Sequence, residues 1–230
     1  MKIQKILLGL SIILLLIIPT VTSANTYLFL NSERQDVVLI TGFEPFMDYE
    51  INPSQIIAET LNATHINEAE IIGIVLPVNY NESIDILKQA IEQSNPVLVI
   101  SVGLAADRDE INIEKIGINL KQIPFGQKWY YIQRISKKGP CLRITDLPIK
   151  TIVREIEQNN ISVKQSFFAG AYVCNYVYYL TLDHIKRNNL QTKAVFIHVP
   201  LLKSQDPQGM HLEDMTKAVK TTITFFLENT

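Results

Sequence analysis

Apolar and polar positions follow two periods along the chain, one typical of strands and one typical of helices. Short runs rich in Val, Ile and Leu predict buried strands over residues 36–41, 70–78, 96–102 and 193–199. Apolar residues at helical spacing predict helices over residues 54–61, 83–93, 149–159, 173–188 and 211–228, and Asn81 is expected to cap the second helix. Strands that alternate with helices predict a single three-layer α/β/α domain with a mostly parallel, mixed and twisted sheet.

The first residues have a different pattern. Lys2 and Lys5 precede an almost unbroken apolar run over residues 6–18, and small residues follow it. This pattern predicts a signal peptide over residues 1–24, cleaved near Ser23 or Ala24, and a chain that is secreted or held within the secretory or periplasmic pathway. The alternative is an uncleaved signal anchor, although the run is shorter than the ~20 residues that usually span a bilayer.

After cleavage, residues 25–35 would lead into one domain over residues 36–230, with no stable membrane span. The 230 residues are 47% hydrophobic and carry 21 Lys and Arg against 23 Asp and Glu, for a net charge of -2. This composition suits one sizeable core, and the absence of a basic excess argues against nucleic-acid binding.

A cysteine and a histidine are the first candidates for chemistry. Cys174 falls in the first turn of a predicted helix, and His198 falls at the carboxyl end of a predicted strand. A thiol attacks as the thiolate, which a helix N-terminus or an imidazole stabilises, so the two residues are candidates for a nucleophile and its base. A cysteine among apolar neighbours is also a common core residue, and the spacing alone leaves both interpretations open.

Cys141 adds a third interpretation. Cysteines of exported proteins commonly pair, and a disulfide between Cys141 and Cys174 would remove the nucleophile. The sequence leaves this pairing open, because two cysteines 33 residues apart need not be neighbours in space.

Three segments are expected to meet at the carboxyl edge of the sheet. Gly42–Phe46 follows the first predicted strand, Gly103–Arg108 follows the third, and His198 ends a late strand. Sites of open α/β sheets form at this edge, so the convergence favours a functional site there.

Five motifs in one order resemble the pyroglutamyl-peptidase I family. They are Thr41-Gly-Phe-Glu-Pro-Phe46 with Asn52-Pro-Ser54, Val102-Gly-Leu-Ala105, Ile113-Glu-Lys-Ile-Gly-Ile-Asn-Leu120, Gly170-Ala-Tyr-Val-Cys-Asn175 and Phe196-Ile-His-Val-Pro200. Their order and spacing match the family from about Val37 to Pro200, which is most of the mature chain.

The resemblance implies a cysteine peptidase that removes an N-terminal pyroglutamyl residue from peptides, without a metal or organic cofactor. By position in the motifs, Cys174 is the nucleophile, His198 the base and Glu114 the acid that orients the imidazole. The resemblance also implies peptide substrates with N-terminal pyroglutamate, a homo-oligomer, and a small pocket for the flat lactam ring. The expected pocket residues are Phe43, Phe46, Asn52, Val78, Leu104, Ile123 and Tyr172.

The sequence departs from the family at the edges of these motifs. Met47 stands where glycine is common, Ala106 and Asp107 stand where two glycines are common, and Gln122 stands where arginine usually precedes Ile-Pro. Two alternative functions follow: a secreted relative that binds pyroglutamyl peptides with weak or no turnover, and a hydrolase of another small acyl amide. Turnover of pyroglutamyl-naphthylamide separates them from the peptidase.

Overall fold

A seven-stranded sheet forms the centre of the fold and carries the site. The structure, a computed structural model, describes residues 35–125 and 129–230, so the predicted signal peptide and residues 25–34 lie outside the described residues. The strands are β1 (Val37–Phe43), β2 (Thr64–Ile66), β3 (Ala69–Leu76), β4 (Leu98–Leu104), β5 (Ile111–Glu114), β6 (Ile116–Ile118), β7 (Lys121–Phe125), β8 (Trp129–Gln133), β9 (Leu142–Ile144), β10 (Val163–Ser166) and β11 (Lys193–Val199). The helices are α1 (Pro53–Leu61), α2 (Tyr80–Ser94), α3 (Ile149–Glu157), α4 (Val173–Arg187) and α5 (Leu212–Glu228).

The sheet is mixed but mostly parallel, as predicted. Its strand order is β10-β5-β11-β4-β1-β3-β2. The pairs β1–β3, β1–β4, β11–β4 and β10–β5 are parallel, whereas β11–β5 and β2–β3 are antiparallel. The carboxyl ends of β1, β4 and β11 therefore meet at one edge.

Helices cover both faces of the sheet, which confirms the three-layer prediction. Side chains that alternate along β1 enter two separate cores, Val38 and Ile40 on one face and Leu39 on the other. The first core holds apolar residues of α1, α3 and α5, and the second holds those of α2 and α4. Within residues 35–125 and 129–230, no helix is long and apolar enough to cross a membrane.

The predicted elements are present; some of their ends coincide with the prediction, and the others differ by one to three residues. One cap was predicted wrongly: Asn79, not Asn81, caps α2, and its side chain accepts hydrogen bonds from the backbone N–H groups of Asn81 and Glu82. The reason is that the helix begins at Tyr80, four residues before Ile84, the first apolar position of its periodic face.

Four short strands form two small sheets, and the apolar pattern did not predict these strands. β6 pairs with β9 and β7 pairs with β8, both antiparallel and separate from the main sheet. Strands β2, β5 and β10 of the main sheet were also missed. β2 is only three residues long, β5 carries the polar residues Asn112 and Glu114, and β10 is mostly polar. These omissions matter, since β5 supplies one residue of the site.

Candidate active site

Cys174 lies in the first turn of α4, at the carboxyl edge of the sheet. Tyr172 is the N-cap of this helix and its side chain makes no capping hydrogen bond, so the first N–H groups of α4 remain available as donors. The sulfur lies directly over Gly103 of β4: a Cβ added to Gly103 would sit 3.0 Å from Sγ and 2.8 Å from Phe196 Cζ. A glycine is therefore needed beneath the thiol.

The thiol is protonated in the free protein. Burial raises the pKa of Cys174 from 9.0 to about 12, and the nearby Glu114 carboxylate adds to the rise. The backbone N–H of Cys174 and the Arg108 guanidinium lower the pKa by less. A base must therefore remove the thiol proton before attack, because the helix N-terminus alone does not produce a resting thiolate.

His198 is held by a carboxylate. Its Nδ1 lies 2.9 Å from Oε1 of Glu114, and both side chains are buried. An ionised carboxylate only accepts, so Nδ1 carries the proton and the other ring nitrogen, Nε2, is the basic one. Phe196 packs against the imidazole, with the ring centroids 4.7 Å apart.

The ladder between β11 and β5 sets this contact. His198 is opposite Asn112 and Phe196 is opposite Glu114, so His198 and Glu114 are diagonal neighbours two positions apart. Diagonal neighbours share one face of a sheet, whereas a slip of one residue would place them on opposite faces.

Glu114 is fully buried and serves two donors through one oxygen. Its Oε1 also accepts a hydrogen bond from Nη1 of Arg108 at 2.8 Å, whereas Oε2 is buried without a partner. Burial by itself raises the pKa of Glu114, but the hydrogen bond and charge of His198, with smaller contributions from the Ser166 side chain and from Arg108, hold it below its ordinary value. The carboxylate is therefore ionised at neutral pH.

Arg108 joins Glu114 to the loop before Cys174. Its Nη2 donates to the carbonyl oxygen of Phe168 at 2.9 Å, while Nη1 binds Glu114. Sequence reasoning did not assign Arg108 a contact with Glu114. The sequence feature that could have indicated this contact is the position of Arg108 at the end of the Gly103–Arg108 segment, six residues before Glu114.

Cys174 and His198 line the same cavity, which we call the outer cleft. The cleft encloses about 1050 Å³ with its open mouth. Its lining residues are Phe46, Met47, Tyr49, Leu104, Ala105, Ala106, Asp107, Arg108, Phe168, Ala169, Gly170, Tyr172, Cys174 and His198. Among the described residues no hydrogen bond joins Cys174 to His198; such bonds often tighten only when substrate binds.

A second, smaller cavity, the inner pocket, adjoins the sulfur. With its open mouth it measures about 250 Å³, and its walls are almost entirely apolar. Its lining residues are Phe43, Phe46, Asn52, Val78, Leu104, Tyr172, Val173 and Cys174. Six of the seven residues expected to form a pocket are therefore together, and Ile123 is not among those that line either cavity. Val173 was not predicted to line the pocket, although its position next to Cys174 in the sequence could have indicated this.

Asn52 orders the turn that carries two of the pocket phenylalanines. Its Oδ1 accepts from the backbone N–H and the hydroxyl of Ser54, and its Nδ2 donates to the carbonyl oxygen of Glu44. The Ser54 hydroxyl in turn accepts from the N–H of Phe43. These bonds fix the chain between Phe43 and Asn52 against the start of α1.

Met47 occupies a backbone conformation that favours glycine. Its φ is 54°, inside a turn closed by the hydrogen bond from Tyr49 N–H to the Phe46 carbonyl. A left-handed conformation costs a side-chain-bearing residue about 1–2 kcal/mol. The methionine side chain is 79% exposed and lines the outer cleft.

Gln122 holds a loop in place through its backbone. Its N–H donates to the Ala171 carbonyl at 2.7 Å, and its carbonyl accepts from the Tyr80 hydroxyl at 2.7 Å. Its side chain lines neither cavity. The start of β7 is thereby tied to the loop that precedes Cys174.

The two cysteines are not paired. Both are free thiols; Cys141 is exposed and follows the loop over residues 134–140. The disulfide that the sequence left open is therefore absent, and Cys174 is free to react. Among the described residues no group of three His, Cys, Asp or Glu is arranged to hold a metal ion.

Comparisons with known proteins identify the chain's relatives. The family model described as pyroglutamyl peptidase matches residues 36–228. The pyrrolidone-carboxylate peptidase of Oceanobacillus iheyensis is 40% identical over 192 residues, covering 81% of this chain and 96% of that protein. That of Halalkalibacterium halodurans is 34% identical over 196 residues, covering 82% and 98%.

Two solved structures show the same fold. A mutant pyrrolidone carboxyl peptidase from Pyrococcus furiosus superposes with a TM-score of 0.78 at 34% identity, covering 84% of this chain and 99% of that one. Pyroglutamyl peptidase I from Bacillus amyloliquefaciens superposes with a TM-score of 0.77 at 33% identity, covering 83% and 96%.

Proposed function

The chain belongs to the pyroglutamyl peptidase family, and from this premise we propose that Cys174, His198 and Glu114 carry out the family's reaction. The protein is a cysteine peptidase that hydrolyses the bond between an N-terminal pyroglutamyl residue and the rest of a peptide. The contact of His198 with Glu114, on an imidazole that lines the same cavity as Cys174, is the observation that carries this assignment.

The first step is acylation of the sulfur. Nε2 of His198 takes the thiol proton of Cys174, and Sγ attacks the carbonyl carbon of the pyroglutamyl residue. His198 then gives this proton to the leaving amine, the carbon–nitrogen bond breaks, and a thioester remains. Glu114 keeps the imidazole in the required tautomer and stabilises its cation, which is necessary because the resting thiol is protonated.

The second step is hydrolysis of the thioester. His198 removes a proton from water, the hydroxide attacks the carbonyl carbon, and the carbon–sulfur bond breaks. The sulfur recovers the proton, and pyroglutamate leaves as the free acid. In both steps the free N–H groups at the start of α4 are oriented to donate to the oxygen that becomes negative.

The inner pocket suits the pyroglutamyl ring. A lactam is small, flat and uncharged, and the pocket offers aromatic and aliphatic walls from Phe43, Phe46 and Val78. Ile123, which lines neither cavity, is left out of this proposal.

Hydrolysis of pyroglutamyl-naphthylamide by the purified wild-type protein tests the proposal. We expect turnover that is abolished in Cys174→Ser and retained in Cys141→Ser, the matched control for the second thiol. Equal activity in Cys174→Ser and wild type would refute the nucleophile. Binding of a pyroglutamyl peptide without any turnover under reducing conditions would instead identify a binding protein.

We also propose that the chain is exported and processed. The support is the Lys2 and Lys5 region followed by the apolar run over residues 6–18 and small residues near Ser23. Mass spectrometry of the protein from its source cells is expected to find a mature N-terminus near Asn25. An intact N-terminal segment in the membrane fraction would support the anchor instead. The homo-oligomer stays a prediction, which light scattering after size-exclusion chromatography measures.

A further inference from the structure

The two cavities at Cys174 divide the substrate between them. Phe46, Leu104, Tyr172 and Cys174 line both cavities, whereas His198 lines the outer cleft and not the inner pocket. The imidazole must protonate the leaving amine, so that amine has to lie on the His198 side of the sulfur. If the pyroglutamyl ring occupies the inner pocket, the residue after it therefore enters the outer cleft.

The walls of the outer cleft nearest its mouth are apolar. Phe46, Met47 and Tyr49 form one wall, and the rings of Phe46 and Tyr49 pack edge to face with centroids 5.9 Å apart. Phe168 and Tyr172 are also lining residues, and they are 56% and 36% exposed. Tyr172 also packs edge to face against Tyr80, with centroids 5.6 Å apart. Met47 and Phe168 are exposed, and a group of exposed large apolar side chains is typical of a binding surface.

Met47 adds a large side chain to this wall from a turn position that disfavours any side chain. The residue keeps a full side chain at φ 54°, where glycine would remove the strain. The side chain is 79% exposed, so it makes little contact with the protein core that would offset this strain. Strained residues of this kind concentrate at ligand sites.

Charge at the cleft is uneven. Arg108 uses its guanidinium on Glu114 and on the Phe168 carbonyl, whereas Asp107 is an exposed lining carboxylate. A side chain that enters the cleft therefore meets apolar walls and one free negative charge. Acidic side chains are disfavoured at this place.

We propose that the outer cleft, through Met47, Phe168 and Tyr172, is a subsite that selects peptides with a bulky apolar or aromatic residue directly after the pyroglutamyl residue. The inference rests on the proposed function, because it takes Cys174 and His198 as the reacting pair. Burial of the second side chain against these walls contributes to both substrate and transition-state binding.

A series of amidated peptides tests the subsite: pyroglutamyl-glycine, pyroglutamyl-leucine, pyroglutamyl-phenylalanine and pyroglutamyl-glutamate. We expect kcat/KM for the phenylalanine peptide to exceed that for the glycine peptide by about tenfold or more, with glutamate the poorest. In Met47→Gly and Phe168→Ala the phenylalanine-to-glycine ratio is expected to fall several-fold.

Ala63→Gly is the matched control for the backbone. Ala63 also has a left-handed φ, 56°, and lines neither cavity, so glycine relieves the same kind of strain without altering the cleft. The ratio in this variant is expected to equal that of wild type. A wild-type ratio near one, or a ratio that Met47→Gly and Phe168→Ala leave unchanged, overturns the subsite even if the enzyme is active.

Loss of the proposed function gives a different result, because then no member of the series is hydrolysed. In that case calorimetric binding of the same peptides to Cys174→Ser decides the subsite. Tighter binding of the phenylalanine peptide than of the glycine peptide supports it, and equal binding overturns it.

Discussion

At the scale of single residues, one carboxylate oxygen organises the site. Oε1 of Glu114 accepts from both His198 and Arg108, and the second oxygen is buried without a partner. His198 contributes most to stabilising the buried negative charge, and Ser166 and Arg108 add to it. We therefore expect Glu114 to assist the reaction through its negative charge as much as through its hydrogen bond to His198.

Glu114→Gln separates charge from shape. The amide has nearly the same size, but it no longer stabilises the imidazolium and no longer fixes its tautomer. We expect kcat for pyroglutamyl-naphthylamide to fall by about 10²–10⁴-fold with a smaller change in KM. Glu110→Gln is the control, since Glu110 lies nearby but pairs with Lys164. Similar losses in the two variants would contradict the role of Glu114.

The raised pKa of Cys174 predicts a stability effect at alkaline pH. The folded protein keeps the thiol protonated to about pH 12, whereas the unfolded chain releases the proton near pH 9. The protonated thiol therefore contributes to the free energy of unfolding. This contribution is complete below pH 9 and is lost as the pH rises from about 9 to 12. Denaturant unfolding should show that Cys174→Ala loses less stability than wild type over this interval. Parallel curves would contradict the raised pKa.

The two thiols should react at different rates. Cys141 is exposed, whereas Cys174 is partly buried and protonated. We expect iodoacetamide at neutral pH to label Cys141 first, with activity retained until Cys174 reacts. Peptide mapping by mass spectrometry follows both sites, and Cys141→Ser isolates the slower one. Faster labelling of Cys174 would show that its thiolate forms without substrate.

At the scale of elements, the position of α4 depends on the residue after the nucleophile. Asn175 is buried, accepts from the Ile118 N–H at 2.8 Å and donates to the carbonyl oxygens of Ile118 and Leu120 at 2.9 and 2.8 Å. It thereby joins the first turn of α4 to β6 and the residues after it. Cys174 is held over Gly103 partly by this connection.

Asn175→Ala would leave three backbone groups without partners. Since an unsatisfied buried group costs about 1–3 kcal/mol, we expect a loss of about 3 kcal/mol or more in the free energy of unfolding, and a fall in kcat. Asn159→Ala removes one amide that binds the Glu155 carbonyl on α3, and it should cost less than about 1 kcal/mol. Chemical denaturation compares the two; equal losses would contradict the connection.

The sequence was informative where local pattern and structure agree. Apolar runs located β1, β3, β4 and β11, because burial on both faces leaves a continuous apolar signature, and apolar residues at helical spacing located all five helices. The pattern missed β5, since Asn112 and Glu114 are polar residues buried for the sake of the site. The bond between Arg108 and Glu114 and the division into two cavities depend on side-chain positions, which spacing along the chain does not encode.

At the scale of the whole molecule, residues 35–230 form one compact unit, in whose seven-stranded sheet β4 is the central strand and β1 lies beside it. We expect residues 25–230, expressed without the leader, to fold cooperatively and to hydrolyse pyroglutamyl-naphthylamide. Residues 45–230 lack β1, which pairs with both β3 and β4, and should not fold. Circular dichroism during heating distinguishes the two chains; failure of the longer one to fold would contradict the domain limits.

The catalytic groups are attached to the molecule in two different ways. His198 and Glu114 sit on adjacent strands joined by backbone hydrogen bonds. Cys174 sits on a helix that is held to the sheet by side-chain packing and by a side-chain hydrogen bond from the Tyr178 hydroxyl to the Glu114 carbonyl. Warming loosens side-chain packing more readily than a ladder of backbone bonds. On warming, Cys174 would then lose its alignment with His198 while the contact between His198 and Glu114 persists. Enzyme activity should therefore be lost some degrees below the temperature at which the sheet melts.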